Sequence, residues 1–183
     1  MAISHPFNFV SASARKGAFV IFLILALVCA GMFFFVLDPP LRKAASPWGM
    51  LSFQLAWRTT TVSAILGSWQ HADKIYAAFG LGFDFLFILC YALVLGIGTQ
   101  IASERLGQRF SGMGRMFGWG VILAVLLDVI ENILLFLIMT RGNFPPYALF
   151  ASLAATLKFL LLLLIACYVF LGLVAPRASQ EAA

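Results

Sequence analysis

Four stretches of about 20 apolar residues, near 17–37, 79–99, 117–139 and 147–173, decide what this chain can fold into. Each is long enough to cross the roughly 30 Å hydrocarbon core of a bilayer as a helix. In that environment every backbone N–H and C=O must be paired within the protein, so only helices or a closed barrel can span it. A barrel requires alternating polarity, which these runs lack. With 63% hydrophobic and 10% charged residues over 183 positions, the chain also lies well outside soluble composition, where about 25% is charged. The expected fold is an all-α membrane protein: an antiparallel four-transmembrane-helix bundle, with residues 1–176 as a single membrane domain and 177–183 as a flexible tail.

The N-terminal run begins after Arg15 and Lys16 and so imitates a signal peptide. Val28 is bulky where cleavage before Cys29 would want a small residue, and the apolar run continues to Leu37, so a retained helix is expected. Cys29, Cys90 and Cys167 all fall in apolar runs and read as small buried side chains, without a disulfide framework.

The twelve Lys and Arg are scattered and flank the spans, as suits lipid headgroups; nucleic acid would require a concentrated basic patch. Arg15, Lys16, Arg105, Arg109, Arg115 and Arg177 fall on one side of the bundle, and Arg42, Lys43, Arg58, Lys74 and Arg141 on the other. Four of the second set share one long loop, where basic residues count less toward topology, so both termini are expected in the cytoplasm.

That long loop contains "WGMLSFQLAWRTTTVSAILGSW", too polar to span and too apolar for a free loop. At helical periodicity Leu51, Leu55, Val62, Leu66 and Trp69 share one side, with Gln54 and Arg58 on or beside it. The pattern predicts an amphipathic interfacial helix over about 48–69, with Arg58 either snorkelling to the interface or pointing down into the bundle as part of a lid.

The third span, "VILAVLLDVIENILLFLIM", carries Asp128, Glu131 and Asn132 near its middle. Its fourteen Leu, Ile, Val and Phe residues favour insertion by roughly 4 to 8 kcal/mol, while two central acids oppose it by roughly 5 to 7 kcal/mol. The acids must therefore be protonated, paired or wetted. Spacings of i, i+3 and i, i+4 put all three on one face with Val121, Ala124 and Leu135, and that face must look inward. Lys158 lies on a small-residue stripe of the fourth span, with Ala151 and Ala154, and Asp84 shares a stripe of the second with Gly80, Ile88 and Tyr91. Helical rise places these groups at similar depth in an antiparallel bundle.

The candidate ligand- or ion-binding set is thus Asp84, Tyr91, Asp128, Glu131, Asn132, Lys158 and Arg58. Its three acids against one lysine exceed what a balanced structural pair needs, leaving protons, Arg58 or a bound cation to supply the rest. His5 and His71 have no second ligand at metal spacing, so no metal and no cofactor are expected. His71 with Asp73 reads as two solvated loop residues, and Gly114 with Gly118 as a packing GxxxG.

"GFDFLFILCYAL", then "LLDVIENILLF", then a lysine in the last span, together resemble a pattern in a family of bacterial four-span membrane proteins. The likeness covers roughly residues 48–170; it implies a bacterial inner-membrane location and no activity. Three functions fit the sequence: a module that binds or translocates a small ligand, proton or cation; a structural or accessory subunit of a membrane complex; and a lipid-modifying enzyme, with Glu131 or Asp128 as acid or base but no evident nucleophile. Membrane lipids, a small amphiphilic ligand or another membrane subunit are the partners expected, and no nucleic acid.

Overall fold

The computed structural model describes residues 4–142 and 145–175, and the flexible tail expected at 177–183 lies outside them. Among the described residues, four helices are long and apolar enough to cross a membrane. They are α1 (Arg15–Met32), prolonged by a π-helical turn at Phe33–Leu37, α4 (His71–Leu106), α5 (Gln108–Arg141) and α6 (Pro145–Val174). Two short helices, α2 (Met50–Gln54) and α3 (Thr59–Ser68), lie in the loop between α1 and α4. The protein is an all-α, multi-pass membrane bundle.

The spans exceed the expected bounds because the helices continue past the hydrocarbon-length runs. α4 starts eight residues before Phe79, where Gln70 and Asp73 form a reciprocal capping box that satisfies its first N–H groups. This draws His71 and Asp73 into a helix terminus, correcting their reading as solvated loop residues. Asp73 is buried and also pairs with Lys43 at 3.1 Å.

α4, α5 and α6 pack on one another as a three-helix core, while α1 leans on α4. One apolar cluster lies at the end of the bundle that carries the long loop, another toward the end that carries the N-terminus. Alanines on α6 (Ala148, Ala151, Ala154, Ala155) and Ala124 on α5 are almost fully buried, and their small size allows the close approach expected of helices in lipid. The cysteines are all free; Cys29 and Cys90 are buried as expected, but Cys167 is exposed, because α6 turns that side away from its neighbours.

The loop departs most from expectation. The predicted helix over 48–69 is broken between Gln54 and Thr59, with Trp57 at φ 56°, and the interruption is held by α6. Ser152 Oγ donates to the Gln54 carbonyl at 2.8 Å and accepts the Trp57 N–H at 2.8 Å, so one buried hydroxyl satisfies two backbone groups that a continuous helix would have paired internally. The break resets the inward face: Phe53, Ala56, Val62, Ile65 and Trp69 are buried, whereas Leu51 and Leu55 are exposed. Trp69 packs edge-to-face on Phe53 and donates Nε1–H to the Leu41 carbonyl at 3.0 Å. A folded cap that shares one apolar core with the ends of α4, α5 and α6 therefore sits on the bundle in place of one surface-lying helix.

Gly49 makes the entry to α2 possible. It adopts φ 54°, and a Cβ there would stand 2.2 Å from Asp38 Oδ1, the atom that accepts the Met50 N–H at 2.8 Å.

Candidate functional site: a polar layer facing a cleft

Asp84, Asp128 and Lys158 each lie thirteen residues from the loop-side end of their helices, which begin or finish at His71, Arg141 and Pro145. At ~1.5 Å per residue that is a common depth of about 20 Å along the helix axes. Antiparallel packing then brings the three into one layer.

Lys158 Nζ stands 2.6 Å from Asp128 Oδ1 and 2.6 Å from Glu131 Oε2, with all three side chains nearly inaccessible. The i, i+3 geometry of α5 lets one ammonium bridge both acids. Tyr91 donates its hydroxyl to Asp128 Oδ2 at 2.8 Å, so α4 is tied to the same carboxylate. Asn132 Nδ2 donates to Asp84 Oδ2 at 2.6 Å, a second tie between α4 and α5. Six of the seven predicted residues thus converge.

Arg58 does not. It is exposed at the N-cap of α3, held outside the layer by the break before that helix, and it lines no part of the site. The notion of a lid whose Arg58 points into the bundle is therefore corrected.

Beside this layer lies a cleft of about 520 Å³. Phe33 and Phe34 of the π-helical turn form one wall, Phe159, Leu162 and Ala166 of α6 the other, and Phe87, Tyr91 and Leu95 of α4 the floor. It exists because α1 packs on α4 and stands apart from α6. Asp84, Asp128 and Lys158 reach it from within the bundle. The chain matches no protein family, no curated protein and no solved structure. What the cleft can do is consequently read from its own geometry.

The π turn was not legible in "GMFFFVLDPP", where nothing distinguishes it from ordinary helix. Such turns recur at functional sites because the extra residue redirects side chains. Here Phe33 meets Phe83 and Phe87 edge-to-face, at centroid distances of 5.4 and 5.8 Å, and keeps α1 against α4. At the mouth Arg42 donates to Asp38 at 2.8 Å and lies 5.3 Å from the Phe34 ring centroid, so its charge is already engaged. Trp48, Leu51 and Gln54 complete the mouth and could not be assigned from sequence, because their position follows from how the loop folds.

The polar layer has an asymmetry. Asp128 and Glu131 share Lys158, but among the described residues no cation comes within ion-pairing distance of Asp84, which is partly exposed. Glu131 Oε1 and Asn132 Oδ1, both buried, find no hydrogen-bond donor among the described residues. Among the described residues no three His, Cys, Asp or Glu side chains are grouped to hold a metal ion. The lining offers carboxylates, a phenol and an ammonium, which can bind, orient or exchange protons with a guest.

Proposed function

We propose that this protein is a binding module for a small amphiphile, which enters from the bilayer between α1 and α6 and places its polar end at the Asp84 layer. The observation that carries this reading is the cleft itself: apolar walls end on a partly exposed carboxylate at membrane depth. Its volume falls within the ~300–1,000 Å³ of small-molecule sites, and its composition, mostly apolar with a few convergent polar groups, is also theirs. Intramembrane acids are costly and mark ligand, ion or proton paths more often than they serve packing alone. The host membrane in this reading is a bacterial inner membrane, with both termini cytoplasmic and the folded cap outside.

Native mass spectrometry of the full chain released from mild detergent tests the reading. Wild type is expected to retain an amphiphile adduct that Leu162→Trp, which fills the cleft, loses while remaining folded. Equal adducts on both proteins, or none on either, would reject it.

A second reading has its own support. The Asp128–Lys158–Glu131 triad is almost wholly buried, with Glu131 behind the lining, as befits a fixed clamp between α5 and α6. A structural or accessory subunit needs such a clamp; copurification of one stoichiometric membrane partner, with no dependence on Leu162, would favour it.

A further inference from the structure

Charge and hydrogen-bonding capacity in the cleft point toward one class of guest. Four carboxylates, Asp38, Asp84, Asp128 and Glu131, face two cations, Arg42 and Lys158, in and behind its lining. If all are ionised, the site carries two negative charges in excess. Arg42 gives its Nε–H to Asp38 at the mouth, and at the depth of Asp84 the cation in the lining, Lys158, is shared by two acids, so an anionic head placed there finds no ammonium among the described residues that is not already paired. The buried polar atoms of the layer that lack partners, on Glu131 and Asn132, are oxygens, and Tyr91 has spent its proton on Asp128. The layer is short of donors and positive charge, not of acceptors. Aromatic rings of Phe33, Phe87 and Phe159 surround the cleft, and Phe159 already lies 4.7 Å from the Lys158 ammonium. Rings so placed favour cations over anions through their quadrupoles.

We infer that the guest is an organic cation with one alkyl tail, an alkylammonium whose N–H groups meet Asp84 while the tail runs along Leu95, Leu162 and Ala166. This rests on the reading of the cleft as an amphiphile site and adds the sign of the head. An anionic head beside Asp84 would face a carboxylate and an ammonium already shared by two acids, and a neutral alcohol would bring no positive charge to Asp84. The tail direction follows from position: Leu95 and Ala166 are eleven and eight residues beyond Asp84 and Lys158, away from the capped end.

The test uses the full chain in nanodiscs of phosphatidylcholine, with dodecylamine, protonated at neutral pH, dodecyl phosphate and dodecanol as probes. Thermal stabilisation reports the mole fraction of each at half-saturation. Dodecylamine is expected to half-saturate at about 10-fold lower mole fraction than the other two, since hydrogen bonds to charged groups exceed neutral ones by roughly that factor. Asp84→Asn should erase the preference by raising the dodecylamine half-saturation to that of dodecanol. Dodecyl phosphate equal to or better than dodecylamine on wild type overturns the inference, and so does a preference that survives Asp84→Asn. The wild-type comparison decides alone should the variant not fold. Equal binding of all three, lost in Leu162→Trp, would retain the amphiphile site and reject only the cationic head; binding of none would reject both.

Discussion

Lys158 is almost wholly buried and bridges two acids that are themselves buried. Removing one partner from such a group leaves uncompensated charge in a medium of low dielectric, which costs far more than the pair contributes. Lys158→Met is therefore expected to destabilise the folded protein by about 3 to 5 kcal/mol, read from unfolding in mixed micelles. Unfolding indistinguishable from wild type would mean that the clamp is not what ties α5 to α6. His5 carries a pH dependence. Its Nε2 lies 3.1 Å from Thr99 Oγ1, whose own proton goes to the Gly96 carbonyl at 2.7 Å, so the imidazole must donate there. Its Nδ1 accepts the Phe7 N–H at 3.2 Å and cannot carry a proton in this seat. Burial, and to a lesser extent nearby Arg15, pushes the His5 pKa below its ordinary 6.5, against the Gly114 carbonyl, which raises it. The folded state thus binds fewer protons than the unfolded state as pH falls through 6.5. The contribution of His5 to stability is complete above that value and is lost below it. Between about pH 7.5 and pH 5.5 the Tm of wild type should fall more than that of His5→Gln, which cannot titrate; parallel curves would contradict the tautomer assigned here.

At the scale of elements, the four spans and the inward faces of α5 and α6 were legible because lipid leaves few alternatives. A span must be helical, and acids spaced by three and four residues must share a face that avoids acyl chains. Val121, Ala124 and Leu135, which share that face, are indeed buried with them. The loop was not legible for the opposite reason: at a membrane boundary water, lipid and protein all compete for the backbone, and tertiary contact decides. Ser152, on α6 nearly a hundred residues away, terminates a helix that local periodicity would have continued. Of the two directions open to Arg58, that break selects the outward one, so it does not join the polar layer. Ser152→Ala should leave the Trp57 N–H and the Gln54 carbonyl unpaired, at a cost of about 1 to 3 kcal/mol, and speed amide exchange across residues 54–58. Unchanged exchange there would show that the cap holds its shape without this hydroxyl. The N-terminal GxxxG was read correctly as packing, but its partner was not foreseen. Gly118 makes room for the His5 ring, which a Cβ would approach to 2.6 Å.

Across the whole molecule, three tightly packed helices carry the polar layer, while the fourth stands partly aside and leaves a cleft beside it. The depth of the layer follows from helix lengths; the existence of the cleft follows from α1 packing on α4 and standing apart from α6, and no local pattern in the sequence encodes that. The account rests on that opening. The most direct measurement is a crystal structure grown from a lipidic phase that contains dodecylamine. Elongated density between α1 and α6, with its head against Asp84, is the predicted result. A structure in which α1 closes against α6, or in which Asp84 is paired with a cation of the protein itself and the space beside it is gone, would contradict the account.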